Sequence, residues 1–243
     1  VETLAKLSEH RRRFPQTADR LMSQTPIREL LNEGVSPPIR GFLHEPAIPN
    51  GDGVILSHGA GSNAQARLLR ALAETFANAG YAVLRCNLPY RQTRSFGPPG
   101  PGDAARDRAG LKNAVAEMRK QVHGRVFLGG HSYGGRQSSM LCAEEPELVP
   151  GLLLLSYPLH PPRRPEQQRT QHLPDLHTPT LFVQGTRDPF ASIAELERAL
   201  KMIPAKAKLL PIEGAGHDLG FKGKERREQV PQEIVSEFVK FHW

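Results

Sequence analysis

A pentapeptide at residues 130–134, Gly-His-Ser-Tyr-Gly, limits what this chain can fold into more than any other segment. It follows an apolar run at 126–128, and the residues after it can form a helix. A Gly-x-Ser-x-Gly sequence between a strand and a helix is typical of a nucleophile elbow, in which glycines without Cβ atoms let the backbone pass closely around a serine. The pattern therefore predicts that Ser132 lies on a sharp turn at the carboxyl end of a strand, in a conformation whose strain costs about 1–3 kcal/mol.

Two further polar residues follow predicted strands in the same way. Asp188 comes after the apolar run at 181–183, and His217 comes after the run at 209–212. The order Ser, Asp, His along the chain is that of the α/β-hydrolase catalytic triad, and it differs from the orders in chymotrypsin and subtilisin. We therefore predict that Ser132, Asp188 and His217 are the catalytic residues. A simpler interpretation of Asp188, as a turn or N-cap residue before the helix near Ala191, stays open.

The loop at residues 58–61, His-Gly-Ala-Gly, follows a predicted buried strand at 54–57. Acyl transfer places negative charge on a carbonyl oxygen, and each backbone N–H aimed at that oxygen typically lowers the barrier by roughly 3–4 kcal/mol. One such N–H belongs to the residue after the nucleophile, Tyr133, and the other is assigned to Ala60, with Gly59 as the second choice. The alternative interpretation is that this loop is only a tight connection into the next helix.

Several motifs together resemble those of a known family. The chain resembles α/β-hydrolases of the dienelactone-hydrolase-like type and, more narrowly, a subfamily that contains bacterial proteins, a testis-expressed protein and the hydrolase-like domain of an NSL chromatin-complex subunit. The resemblance runs from about residue 39 to the C-terminus, and it implies the fold but not the substrate, because members of the subfamily are poorly characterised. It does not establish activity either, because such folds also serve as non-catalytic scaffolds. The motifs that carry it lie at residues 57–61, 87–90, 129–136, 157–162 and 184–190.

The hydrophobic periodicity independently predicts an α/β fold. Most predicted strands are continuous apolar runs rather than alternating ones, which is typical of strands covered by helices on both faces. Strands that alternate with helices favour a doubly wound, mostly parallel sheet. Strands are predicted near 53–57, 81–86, 125–130, 151–156, 179–184 and 206–212. Helices are predicted near 64–79, 103–122, 133–145, 191–202 and 230–242.

The domain organisation predicted from these elements has two parts. Residues 1–36 are assigned to an N-terminal helical extension and residues 37–243 to an α/β-hydrolase domain without a large lid. Apolar residues up to Leu31 indicate an amphipathic segment in the extension, with Pro26 starting or breaking a helix. Residues 39–44 are predicted to form an edge strand.

Composition restricts the partners of this chain. The net charge of +7 invites a nucleic-acid interpretation, but the basic residues are scattered and no aromatic interleaving accompanies them, so we expect no nucleic-acid partner. No apolar stretch or N-terminal leader predicts a membrane association. Cys86 and Cys142 are interpreted as reduced core residues, which favours a cytoplasmic location. The histidines lack metal-ligand spacing, so we expect neither a metal nor a cofactor.

Two long connections, at residues 89–102 and 157–178, are expected to border the site. Tyr90, Tyr157 and His160 in these connections are predicted to contact the substrate, although each has a structural alternative. Arginines in the same connections would attract an anionic substrate, or they belong to a generally basic surface. The resulting prediction is a serine hydrolase acting on a small-molecule carboxylester, thioester or lactone. The alternative is a non-catalytic binding or assembly module on the same scaffold.

Overall fold

An eight-stranded, mostly parallel sheet forms the centre of the computed structural model, which describes residues 25–221, 223 and 226–243. The spatial strand order is β1-β2-β4-β3-β5-β6-β7-β8, and β2 runs antiparallel to both of its neighbours, β1 and β4, whereas the other pairings are parallel. The predicted doubly wound, mostly parallel fold is therefore confirmed. The strands are β1 Ile27–Asn32, β2 Ile39–His44, β3 Gly53–Ser57, β4 Ala82–Cys86, β5 Val126–His131, β6 Leu152–Leu155, β7 Thr180–Gly185 and β8 Ala207–Ile212.

Helices cover both faces of this sheet. Apolar side chains of α3, α4 and α5 form one core layer, and those of α1 and α6 form the other. The four leucines of β6 explain the continuous apolar runs, because Leu152 and Leu154 enter the first layer whereas Leu153 and Leu155 enter the second. The helices are α1 Arg67–Asn78, α2 Pro89–Thr93, α3 Asp103–Gln121, α4 Tyr133–Glu144, α5 Ile193–Leu200 and α6 Arg226–Lys240.

The N-terminal part of the described chain differs from the prediction. Residues 27–32 form the edge strand β1 and not a helix, and β1 pairs with all six residues of β2. Consequently β2 is an internal strand rather than the predicted edge strand. Ile27 and Leu31 are exposed and lie on the outer side of β1. Their spacing with Leu30 fits a helix as well as a strand, because three apolar residues cannot distinguish the helical period from the strand period. The remainder of the predicted extension, residues 1–24, lies outside the described residues.

The strand order reverses at β3, because β4 pairs with one edge of β3 and β5 pairs with the other. In doubly wound sheets ligands bind at such a switch point, beyond the carboxyl ends of the strands. Two short elements near this edge were not predicted, the helix α2 and a 3-10 helix at Leu173–Asp175. Within the described ranges, no helix combines the length and the apolar character that a membrane crossing requires.

Candidate active site

Ser132 lies on the predicted sharp turn between β5 and α4. Its backbone has φ 52° and ψ −115°, a left-handed conformation that is strained for a residue with a Cβ atom. The backbone N–H of Ser132 donates to the carbonyl oxygen of Leu155 at 2.8 Å, which ties the turn to the end of β6. Because the neighbouring sheet strands hold both sides of this turn, the serine hydroxyl is raised above the carboxyl edge of the sheet.

The structure brings the three predicted catalytic side chains together. Nε2 of His217 lies 2.8 Å from Oγ of Ser132, and Nδ1 of His217 lies 2.8 Å from Oδ2 of Asp188. An ionised carboxylate can only accept, so Nδ1 of His217 carries the proton and Nε2 accepts the hydrogen bond from Ser132. The three side chains thus form one continuous hydrogen-bond chain that ends at the Ser132 hydroxyl.

Asp188 satisfies both interpretations of its sequence position. Oδ1 accepts a hydrogen bond from the backbone N–H of Phe190 at 2.9 Å, as a turn residue would, while Oδ2 binds His217. The carboxylate is buried, with 6% of the residue exposed. The Phe190 ring packs against His217 with ring centroids 4.2 Å apart, so the imidazole is held from its face as well as from its edge.

His131 supports the loop that carries His217, a role that the sequence analysis did not assign. Nε2 of His131 donates to the backbone carbonyl oxygen of His217 at 2.8 Å. Burial lowers the pKa of His131 to about 4, so the ring is neutral at pH 7. The residue preceding Ser132 is therefore bonded to the backbone of the histidine that contacts the Ser132 hydroxyl.

The loop after β3 borders the cavity at the predicted place. Gly59 and Ala60 line the same cavity as Ser132 and Tyr133. The hydroxyl group of Tyr90 donates towards the carbonyl oxygens of Ala60 at 2.8 Å and Gly59 at 3.2 Å, and the Arg91 guanidinium donates to Ala60 at 3.1 Å. C=O and N–H point in opposite directions across a trans peptide bond. Hydrogen bonds that hold the carbonyl groups of this loop on one side therefore also hold its N–H groups on the other side.

Asp107 links the two segments that carry the predicted oxyanion donors. Its Oδ2 accepts from the Tyr133 hydroxyl at 2.7 Å, and its Oδ1 accepts from the backbone N–H of Tyr90 at 3.0 Å. Burial raises the pKa of Asp107. Burial and the hydrogen bond to Asp107 both raise the pKa of Tyr133. An aspartate within the otherwise ordinary helical pattern of α3 gave no sequence signal of this role.

An open cavity of about 610 Å³ exposes the site to substrate. Both predicted bordering connections contribute to it, through Pro98 and Pro99 on one side and Pro158 and Arg169 on the other. The complete lining consists of Gly59, Ala60, Gly61, Ser62, Pro98, Pro99, His131, Ser132, Tyr133, Arg136, Pro158, Arg169, Phe190 and His217. This wall combines apolar residues, such as Phe190 and the three prolines, with two arginines, Arg136 and Arg169.

The three residues predicted to contact substrate are not part of this lining. Tyr90, Tyr157 and His160 are buried, and each makes hydrogen bonds within the protein. Tyr90 holds the loop after β3, whereas the Tyr157 hydroxyl donates to the backbone carbonyl oxygen of Arg169 at 3.1 Å. Other residues of their connections line the cavity, but these three side chains point into the protein.

The described residues contain no group of three or more His, Cys, Asp or Glu side chains with an arrangement suited to a metal ion. Cys86 and Cys142 are both buried free thiols, and burial raises the pKa of each to about 12. Neither cysteine lines the cavity. Of the two serines in the cavity wall, Ser62 and Ser132, the one whose hydroxyl contacts a histidine is Ser132.

Solved structures with a similar fold come from several bacteria. A dienelactone hydrolase from Anabaena variabilis is 24% identical, with a TM-score of 0.70 over 89% of this chain and 98% of that chain. An alpha-beta serine hydrolase homologue from Coxiella burnetii is 16% identical, with a TM-score of 0.70 over 86% and 96%. A serine hydrolase without a lid from Xanthomonas campestris is 16% identical, with a TM-score of 0.63 over 87% and 94%. At these identities the likeness concerns the fold.

A family model described as an alpha/beta hydrolase domain matches residues 51–242. The matched range begins just before β3 and ends within the last residues of the chain, so it contains the nucleophile turn, both of its hydrogen-bonded partners and the loop after β3. The match spans most of the sequence and agrees with the sheet order and with the position of the cavity. This chain therefore belongs to the alpha/beta hydrolase domain family.

Proposed function

We propose that this protein is a serine hydrolase that cleaves carboxylic esters, thioesters or lactones through an acyl-enzyme on Ser132. The observation that carries the proposal is the hydrogen-bond chain from Asp188 through His217 to Ser132, with 2.8 Å at both junctions. The hydrogen-bond chain ends at Ser132, which lines an open cavity, so a substrate carbonyl carbon can approach the hydroxyl oxygen. Membership of a hydrolase family supports the same type of chemistry.

The acylation step follows from this geometry. Nε2 of His217 removes the hydroxyl proton as Oγ of Ser132 attacks the carbonyl carbon, and Asp188 stabilises the imidazolium that forms. The negative charge that develops on the carbonyl oxygen is stabilised by the backbone N–H groups of Tyr133 and Ala60. When the tetrahedral intermediate collapses, the carbon–oxygen or carbon–sulfur bond breaks and His217 returns its proton to the leaving group.

Deacylation repeats the sequence with water in place of the serine. His217 removes a proton from water, the hydroxide oxygen attacks the acyl carbon, and Ser132 leaves with the proton that His217 donates. The Phe190 ring and the prolines at the cavity mouth keep the surroundings of the acyl group apolar. The dienelactone hydrolase among the similar structures makes a lactone a reasonable member of the substrate series to be tested.

The first test is intact-mass labelling with a fluorophosphonate probe on the full chain. Wild-type protein is expected to gain one adduct, and Ser132→Ala is expected to gain none, because the alanine lacks the activated oxygen. Ser95→Ala removes an exposed serine outside the cavity and serves as the matched control that keeps the adduct.

Two results would contradict the proposal. A folded wild-type protein that gains no adduct would show that Ser132 is not activated, and it would favour the non-catalytic binding module. An adduct that persists in Ser132→Ala would place the reactive group elsewhere. Circular dichroism of each variant establishes that the comparison is made on folded protein.

A further inference from the structure

Two arginines, Arg136 and Arg169, line the same cavity as Ser132. Arg136 is near the start of α4, and its backbone N–H donates to the carbonyl oxygen of Ser132 at 2.9 Å. Residues four apart share one face of a helix and long side chains lean towards its N-terminus, so Arg136 extends on the side of the nucleophile. Arg169 comes from the connection after β6, where its Nη1 donates to the carbonyl oxygen of Pro158 at 3.2 Å.

The charges of this pair lack a carboxylate partner within the described part of the chain. The cavity lining there contains no Asp or Glu side chain, and Nε of Arg136 is buried without a hydrogen-bond partner. Burial lowers the pKa of Arg169, and the nearby charge of Arg136 lowers it further. Arginines elsewhere in the described chain do form ion pairs, among them Arg28, Arg40, Arg94, Arg108 and Arg125.

The groups around the pair do not neutralise it. Burial, assisted by the charges of Arg136 and Arg108, lowers the pKa of His172 to about 4, so this histidine is neutral at pH 7. Burial raises the pKa of Tyr157 to about 12, so its hydroxyl is neutral as well. Two neighbouring cations in a partly desolvated wall repel each other, and an anion placed between them would offset that cost.

We propose that Arg136 and Arg169 bind an oxyanion of the substrate, a carboxylate or a phosphate-type group, while the scissile carbonyl group lies at Ser132. The planar guanidinium fork matches the oxygens of both anions and forms short, charge-assisted hydrogen bonds with them. The apolar wall formed by Phe190, Pro98 and Pro99 lies in the same cavity and suits the hydrocarbon part of such a substrate. This inference rests on the proposed function and assigns its substrate class: anionic esters rather than simple neutral ones.

Three ethyl esters with the same acyl chain test this substrate class. One is the monoethyl ester of glutaric acid, which ends in a carboxylate. The second ends in a phosphonate, and the third ends in a neutral carboxamide of nearly the same size as the carboxylate. The value of kcat/KM is measured by pH-stat for each ester with wild type, Arg136→Gln, Arg169→Gln and Arg164→Gln. Arg164 is an exposed arginine of the same connection outside the cavity lining, so its variant controls for the loss of one positive charge.

Wild type is expected to prefer an anionic ester over the carboxamide by roughly tenfold or more, which corresponds to about 1.4 kcal/mol or more. The preference should fall to near unity in Arg136→Gln and Arg169→Gln and persist in Arg164→Gln. A preference for the carboxylate or for the phosphonate identifies which oxyanion the pair binds. Equal rates for all three esters in wild type would overturn the inference, and so would an equal loss on all three in the arginine variants, since that is the result of a structural role.

Failure of the inference is distinguishable from failure of the proposed function. If the fluorophosphonate probe labels Ser132 but the esters are cleaved without preference, the hydrolase function stands and the oxyanion site is wrong. Where no ester is cleaved, isothermal titration of the glutarate monoester into Ser132→Ala decides the oxyanion site alone. Binding that is lost when Arg136→Gln is added supports the site, and absence of binding to Ser132→Ala overturns it.

Discussion

Tyr90 does not line the cavity, but it holds the backbone of two residues that do. The side chain is fully buried, and its hydroxyl group bonds to the carbonyl oxygens of Gly59 and Ala60. The backbone N–H of the same residue donates to Asp107, which in turn accepts from Tyr133. One tyrosine thus connects both segments that carry the proposed oxyanion donors, and its contribution is to their orientation.

The Tyr90→Phe variant removes only the oxygen that holds the loop. We expect kcat to fall by roughly tenfold with little change in KM, since loss of a complete oxyanion donor typically costs 10²–10³ in kcat and this variant only loosens one. Steady-state kinetics on the preferred ester measures both parameters.

Tyr81→Phe is the matched control for this variant. Tyr81 is also buried but packs in the other core layer, against Phe76 and Phe238. Unchanged kinetics in Tyr90→Phe, or an equal loss in Tyr81→Phe, would contradict the role given to the Tyr90 hydroxyl.

At the scale of elements, the nucleophile turn depends on how closely β3, β5 and α4 approach one another. A Cβ atom at Gly130 would overlap Oγ of Ser57 and lie 2.8 Å from the carbonyl carbon of Gly134. A Cβ atom at Gly134 would lie 2.6 Å from the carbonyl oxygen of His58. The end of β3 and the loop after it therefore occupy the space that any larger residue at either position would need.

The Gly130→Ala variant should be destabilised by about 2–3 kcal/mol, because its extra methyl group has to displace backbone rather than a flexible side-chain end. The free energy of unfolding, measured by urea titration, checks this value. Gly61→Ala is the control, because a Cβ atom at Gly61 meets no atom within 4 Å. Equal stability of the two variants would show that the close approach at Gly130 is not maintained in solution.

Across the whole molecule, neutral histidines that are buried or half-buried connect elements that are distant in sequence. His44, His58, His131 and His172 each have a pKa lowered to about 4, in every case mainly by burial. His44 accepts a hydrogen bond from Arg85 on β4, and His58 accepts from the backbone N–H of Leu88. These bonds require the unprotonated ring nitrogens, so the folded state binds fewer protons than the unfolded chain in mildly acidic solution.

Stability is therefore expected to be complete above the unfolded pKa of about 6.5 and to fall as the pH decreases from there towards 4. Each such histidine contributes a slope of roughly 1.4 kcal/mol per pH unit within that window. Urea unfolding at several pH values between 7 and 4.5 or so measures the slope.

The histidine contribution is isolated by comparing slopes among variants. His172→Gln should reduce the slope by the contribution of one histidine, whereas His123→Gln, which changes an exposed residue, should leave it as it is. A wild-type free energy of unfolding that does not change over this pH window, or identical slopes in all three proteins, would contradict the assignment of the pH dependence to these histidines.

Much of this arrangement could be read from the sequence because the relevant signals are local. Glycines around Ser132, continuous apolar runs and polar residues directly after them predicted the sheet, the turn and the order of the three site residues. Local patterns failed at residues 27–32, where a short apolar spacing fits a helix and a strand equally well and pairing with β2 decided the outcome.

Contacts between distant segments set everything that the local patterns left open. The sequence determined that Ser132, Asp188 and His217 follow strands, because strand-forming runs and turn residues are encoded by neighbours along the chain. Only the tertiary structure decided that Tyr90 and Tyr157 point inwards while Arg136 and Arg169 face the cavity, since side-chain direction depends on which elements pack together. The same packing leaves two arginine charges near Ser132 without a carboxylate partner in the described chain. A pattern along the sequence cannot predict this, because it does not show which residues are neighbours in space.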